Sequence, residues 1–117
     1  MLRNLKWSQA EKRAARRAFD LAYERECAAL IKQVQKIARE LEEPDDVWKL
    51  SDFIVQRRKD IDDTYDFRIS VLPQVFARLL SDKWISLADL KGLDEEKRND
   101  IRERAGGLGH SDDDGKR

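Results

Sequence analysis

From Ser8 to Glu43 the chain runs without a glycine or a proline. Ala, Leu, Glu, Lys, Arg and Gln, the strong helix formers, fill most of that run. Ser8 and Glu11 stand at the spacing of a capping box, so a helix is expected to open at Ser8. A helix over residues 8–42 would be about 50 Å long at ~1.5 Å per residue. A compact chain of this size has a radius of gyration of only about 13 Å. The residues that follow cannot cover such a rod along its whole length. Its apolar seam, Cys27, Leu30, Val34, Ile37 and Leu41, steps by three and four residues as in a coiled coil. Nearer the N-terminus Ala14, Ala15, Ala18, Phe19, Ala22 and Tyr23 widen the apolar face with small residues that permit close approach. A second copy of the chain is the economical cover for this seam, so a homodimer is expected. A helix bent at a weak point and packed as a monomeric bundle is the plainer alternative.

Pro44 is a stop signal for that helix. A second helix is expected after it, with Asp45 and Asp46 at its N-cap and first turn, where the positive end of the helix dipole favours carboxylates. The stretch Asp45–Arg68 carries Val47, Leu50, Ile54, Ile61 and Tyr65 on one helical face. The gap in the middle of that face falls to Arg57 or Arg58, depending on local twist. Trp48 and Asp52 lie one turn apart on a neighbouring strip. Asp52 and Arg58 point about 120° apart and cannot pair within one helix. A two-fold axis near Val55 would set Asp52 of one chain against Arg58 of another. The helix is expected to end around residues 62–66, where Asp63 or Asp66 could cap the next one.

The remaining elements are short. A third helix is expected over residues 69–81, with Val71, Leu72, Val75, Phe76, Leu79 and Leu80 as its stripe and Pro73 in its first turn. Ser86 and Asp89 form a capping-box variant over a turn at 87–91, which Gly92 ends. Asp94 caps a last helix from Glu95 to Ala105, closed by Gly106-Gly107. Residues 106–117, GGLGHSDDDGKR, have the composition of a disordered tail. The expected architecture is all-α: a long-helix dimerisation region over 1–66, a small helical head over 67–105, and the tail over 106–117.

Composition excludes several functions. Charged residues make up 41% of the chain and balance, 24 basic against 24 acidic, which argues against a function driven by nucleic acid. The exception is a basic strip at Lys12, Arg13, Arg16 and Arg17, which could follow a phosphate backbone but reads more plainly as a solvated helix face. One cysteine, Cys27, permits no intrachain disulfide, and its place on the seam makes it a packing residue rather than a reactive thiol. The single histidine, His110, lies in the tail, and no metal-ligand cluster, phosphate-binding glycine loop or nucleophile elbow is present, so no enzyme, metal or cofactor is expected. No apolar run is long enough to span a membrane and no signal peptide is evident, so a cytoplasmic protein is expected. Trp48 beside Asp52 has the composition of an interface centre.

Read in order, Trp7-Ser8-Gln9-Ala10-Glu11, Phe19, Ala22-Tyr23-Glu24-Arg25-Glu26, Asp46-Val47-Trp48-Lys49-Leu50, Asp52-Phe53 and Arg58 resemble the fluorescence recovery protein family of cyanobacteria. The likeness continues through Ile61-Asp62, Tyr65-Asp66, Arg68, Ser70-Val71, Val75-Phe76-Ala77 and Leu79-Leu80. It is collinear from about residue 7 to 103. The resemblance implies an all-helical homodimer, antiparallel through its long helices, with a small helical head. It also implies a regulator that binds the C-terminal domain of photoactivated orange carotenoid protein and speeds its return from the red quenching form to the orange form. By the same resemblance Trp48, Asp52 and Arg58 form the central partner-binding patch, and Phe76 is a head contact. Leu30, Val34, Ile37, Val47, Leu50 and Ile54 are expected at the dimer seam or core. The chain departs from the family pattern at Ser51, Pro73, Gln74 and Asp100. The alternative function is a helical dimerisation module for an unrelated protein partner.

Overall fold

The structure, a computed structural model, describes residues 6–109. Four α-helices and one 3-10 turn account for it: α1 (Gln9–Arg39), α2 (Pro44–Thr64), α3 (Leu72–Ser81), the 3-10 turn Leu87–Leu90, and α4 (Glu95–Gly109). The described residues contain no strand. The all-α expectation holds.

The capping box opens α1 as the spacing requires. Ser8 Oγ accepts the Glu11 N–H at 3.0 Å, and Glu11 Oε1 accepts the Ser8 N–H at 3.0 Å. The helix then runs 31 residues to Arg39, a little short of the expected end, with Glu40 as its C-cap. Pro44 does not stand between the helices. It is the first residue of α2, behind a Glu43 N-cap. A proline is favoured there because its missing N–H is one that no helix could satisfy. Asp46 closes the turn, its Oδ2 accepting the N–H groups of Glu42 and Glu43 at 3.1 and 3.0 Å. Those bonds hold the Asp46 carboxyl below its ordinary pKa.

The turn folds α2 back along α1. Arg57 and Tyr65 of α2 and its exit both reach Glu26, while Tyr65 also meets Phe19 and Tyr23. Rising numbers on α2 thus meet falling numbers on α1, which makes an antiparallel hairpin. Only one end of it has a core. Ala14, Ala15, Ala18, Phe19 and Ala22 of α1 join Leu72, Val75, Phe76, Ala77, Leu79, Ile85, Leu90, Leu93, Ile101 and Ala105 in one buried cluster. The alanine-rich half of α1 is therefore the floor of the head, and the buried cluster crosses the expected boundary at residue 66. Beyond Ala22, α1 has no fully buried residue, and α2 has none before Ile61. The molecule is accordingly elongated, 53 × 32 × 24 Å, with a radius of gyration of 16.9 Å. That exceeds the ~13 Å of a compact chain this long.

The head departs from expectation in three places. Residues 69–71 form a turn, and α3 starts at Leu72, because the N–H groups of Val71 and Leu72 both donate to Arg68 O at 3.0 Å. Neither Asp63 nor Asp66 caps it; the N-cap is Val71, and Pro73 sits in the first turn as expected. Asp94 caps α4 by accepting the Lys97 N–H at 2.9 Å, but the helix does not stop at Gly106-Gly107. No glycine of the described chain has a positive φ, so both continue the helix to Gly109. The first residues of the expected disordered tail are thus helical, and the rest of it, with His110, lies outside the described residues. The left-handed residue that ends a helix is Lys83, with φ 70°. Trp84 N donates to Leu79 O at 2.9 Å and Lys83 N to Leu80 O at 3.1 Å, a Schellman close to α3.

Candidate partner-binding surface

The inner face of α2 settles the choice between the two arginines. Arg57 turns inward and its Nη2 lies 3.2 Å from Glu26 Oε2 on α1, both largely covered. Glu26 Oε1 also accepts the Tyr65 hydroxyl at 2.9 Å. Burial, then the hydrogen bond to that carboxylate, pushes the Tyr65 phenol far above its usual range. One acid thus ties two points of α2 to α1. Arg58 is exposed and pairs with Asp62 one turn on, at 3.7 Å. An exposed pair at that distance is worth a fraction of a kcal/mol and is easily exchanged.

Trp48, Asp52 and Arg58 of α2 are all exposed. Trp48 is 65% exposed and Val55 also 65%. No ion pair within the described chain engages Asp52. Of the nine large hydrophobic side chains left exposed among the described residues, six sit on the hairpin: Tyr23, Ile31, Val47, Trp48, Ile54 and Val55. The remaining expected seam residues, Leu30, Val34, Ile37 and Leu50, are half-buried. Phe76 requires a correction. It is 0% exposed and among the largest enclosed side chains of the head core, so it offers a partner no surface. Its place on the apolar stripe of α3 pointed to core, and that reading prevails.

Three polar ties hold the head in position; the sequence marked Glu11, Asp89 and Asp94 as helix caps, but not their long-range partners Lys97 and Arg25. Lys97 of α4 is 4% exposed. Its Nζ lies 3.3 Å from Glu11 Oε1, 3.2 Å from Asp94 Oδ2 and 5.3 Å from the centre of the Trp7 ring. Glu11 also accepts the Asp94 N–H at 2.9 Å, so the residue that caps α1 anchors the start of α4 as well. Burial opposes ionisation of Glu11, but the Ser8 and Asp94 N–H groups and Lys97 outweigh it and hold its carboxyl below the ordinary value. Arg25 of α1 donates to Asp89 Oδ2 at 2.9 Å and Trp84 O at 3.0 Å, clasping the 3-10 turn. Within the basic strip, one member is engaged by its own chain. Arg16 lies 4.7 Å from the centre of Phe67 and 5.4 Å from that of Phe19, and pairs with Asp20 at 3.3 Å.

Among the described residues no three His, Cys, Asp or Glu side chains are grouped to hold a metal, and no helix is long and apolar enough to cross a membrane. What the arrangement can do is bind: an exposed aromatic, an acid and a base on one rigid helix, beside apolar side chains with nothing over them.

Known proteins share both sequence and shape. Residues 7–105 match the family described as photoprotection regulator fluorescence recovery protein. The fluorescence recovery protein of Synechocystis sp. PCC 6803 is 41% identical over 96 residues, covering 82% of this chain and 88% of that one. The solved structure of the Fremyella diplosiphon fluorescence recovery protein superposes with a TM-score of 0.83 at 42% identity, covering 86% of this chain and 99% of its own. The Synechocystis structure gives the same TM-score, 0.83, and the same coverage at 40% identity. The chain belongs to the fluorescence recovery protein family of photoprotection regulators.

Proposed function

We propose that this chain acts as a cytoplasmic, non-enzymatic homodimer that binds the C-terminal domain of photoactivated orange carotenoid protein and accelerates its red-to-orange reversion. The observation that carries the reading is the coreless half of the hairpin. Two helices whose apolar side chains stay exposed or half-buried are unstable as a free surface of that size, and a twin chain supplies the missing cover. Residues 1–66 serve as the dimerisation region, with Leu30, Val34, Ile37, Val47, Leu50 and Ile54 along the seam, and 67–105 as the head. In the dimer an antiparallel crossing near Val55 brings Asp52 of one subunit to Arg58 of the other, which only the weak Arg58–Asp62 contact opposes. Trp48, Asp52 and Arg58 then lie together at the centre of the docking patch.

Such an activity requires no reacting groups. A partner that holds two separated domains near their closed arrangement lowers the entropic cost of rejoining, provided it favours the intermediate over both end states. Mixing the purified chain with photoactivated orange carotenoid protein in the dark tests this. Orange absorbance is expected to return faster in proportion to added chain until saturation. No acceleration with several carotenoid proteins would favour the alternative, a helical dimer serving an unrelated protein.

A further inference from the structure

From Leu50 onward the less exposed positions of α2 are Leu50, Phe53, Arg57, Ile61 and Thr64, at steps of three, four, four and three. Arg57 is the one charge in that line. Two further cations follow it directly, Arg58 and Lys59. Successive residues of a helix point about 100° apart. A roll of that size would offer α1 a different cation. Apolar packing resists such a roll weakly, because Ile61 is the only fully buried residue of α2.

Glu26 of α1 is what fixes the setting. Its side chain is 12% exposed, and a carboxylate so covered has to be paired. Arg57 Nη2 lies 3.2 Å from Oε2, and the Tyr65 hydroxyl donates to Oε1 at 2.9 Å. The two donors, well separated along α2 and its exit, thus use separate oxygens of one acid. The helix can neither slide nor roll without breaking one of these bonds. A polar contact within an apolar seam is one way proteins fix register, at some cost in stability.

A competitor for Glu26 stands next to Arg57. Arg58 is held by Asp62 at 3.7 Å, in an exposed contact that is easily given up. Its charge already reaches α1. The Tyr23 phenol is pushed up chiefly by the Cys27 thiol, and Arg58 acts on it in the opposite direction. Tyr23 precedes Glu26 by one turn of the same helix.

We infer that Glu26 is the positioning residue of the docking patch: by holding Arg57 it leaves Arg58 exposed with Trp48 and Asp52, and without Arg57 it draws Arg58 to itself. The inference rests on the function proposed above and adds to it a residue that is itself covered. Loss of Arg57 then takes the base from the patch, and removal of the acid as well returns it.

Arginine modification by phenylglyoxal, mapped by mass spectrometry, reads the setting, and dark recovery of orange absorbance reads its consequence. In the unaltered chain Arg58 should react and Arg57 should be protected. Arg57→Ala should slow modification of Arg58 about tenfold and reduce the acceleration of reversion by about as much, with the helical circular dichroism unchanged. Adding Glu26→Ala should restore both. A mere loss of stability predicts the reverse at Arg58, since unfolding exposes it. Should Arg57→Ala fail to fold, Glu26→Gln decides by the same chemistry, because it should let Arg57 react about as fast as Arg58. Undiminished modification of Arg58 in Arg57→Ala, or continued protection of Arg57 in Glu26→Gln, overturns the inference. The expected modification pattern without any acceleration by the unaltered chain overturns the proposed function and leaves the setting of α2 by Glu26 standing.

Discussion

A Cβ built on Gly92 would lie 2.3 Å from the Cβ of Ala14, closer than any two such atoms can sit. The loop entering α4 thus rests directly on α1, and the alanine and the glycine each exist because the other leaves no room. Gly92→Ala is expected to destabilise the subunit by about 1–3 kcal/mol, the usual cost of overpacking. Adding Ala14→Gly should recover part of that loss, although glycine in a helix itself costs about 1 kcal/mol. Chemical denaturation of the two single variants and the double variant measures the coupling.

Adjacent arginines on α2 should behave as opposites. Arg57→Ala leaves Glu26 covered and short of a charged partner, so subunit stability should fall by about 1–3 kcal/mol. Arg58→Ala removes only an exposed contact and should change subunit stability by no more than about 0.5 kcal/mol. Its effect should appear in self-association instead. Arg58→Asp is expected to weaken the dimer and the further change Asp52→Arg to restore it in part, read as dissociation constants by sedimentation. A double variant no tighter than the single one would remove the cross-subunit pair.

The acid limb of stability should be set by the ties between α1 and the head. Glu11, Asp89 and Asp94 all have folded pKa values below their ordinary 4.5, 3.8 and 3.8. For Asp89 the Ser86 N–H leads the causes, and for Asp94 the Lys97 N–H. Depressed carboxyl groups contribute stability that is complete above the unfolded pKa and lost as pH falls through the folded one. Unfolding free energy should therefore be flat from neutrality to about pH 5 and decline below about pH 4.5. Glu11→Gln should flatten that decline and lower the neutral plateau, as followed by denaturation across a pH series.

How much of this was legible beforehand depends on the range of the interaction. Ser8 and Glu11 announced the start of α1 because a capping box is local, and the missing breakers announced its length. Pro44 was misplaced by one position in role, since a proline that ends one helix and a proline that begins the next look alike when only three residues separate Glu40 from the second helix. Gly106 and Gly107 looked like a stop, but glycine is only disfavoured in a helix, not excluded from one. Glu26 could not be identified from its own neighbourhood. It becomes a node only when the hairpin closes and brings Arg57 and Tyr65 to it. Lys97 was equally hidden, because its partner Glu11 is 86 residues away. Trp48, Asp52 and Arg58 could be grouped beforehand because all three lie on one helix, and their exposure is what the structure adds, whereas Phe76, assigned as a contact by the resemblance against its own periodicity, is buried.

Lys83 occupies a left-handed conformation that costs a non-glycine residue about 1 kcal/mol. Lys83→Gly should relieve it and raise stability by about 0.5–1 kcal/mol, with the Schellman bonds unchanged. A thermal or denaturant midpoint that falls instead would mean the lysine side chain contributes more than the backbone strain takes away.

The central claim is that the hairpin's bare half is covered by a second copy of the chain. Sedimentation equilibrium over a wide concentration range tests it most directly. The account predicts twice the 13.7 kDa subunit mass at all but the highest dilutions. A single-subunit mass throughout would contradict it.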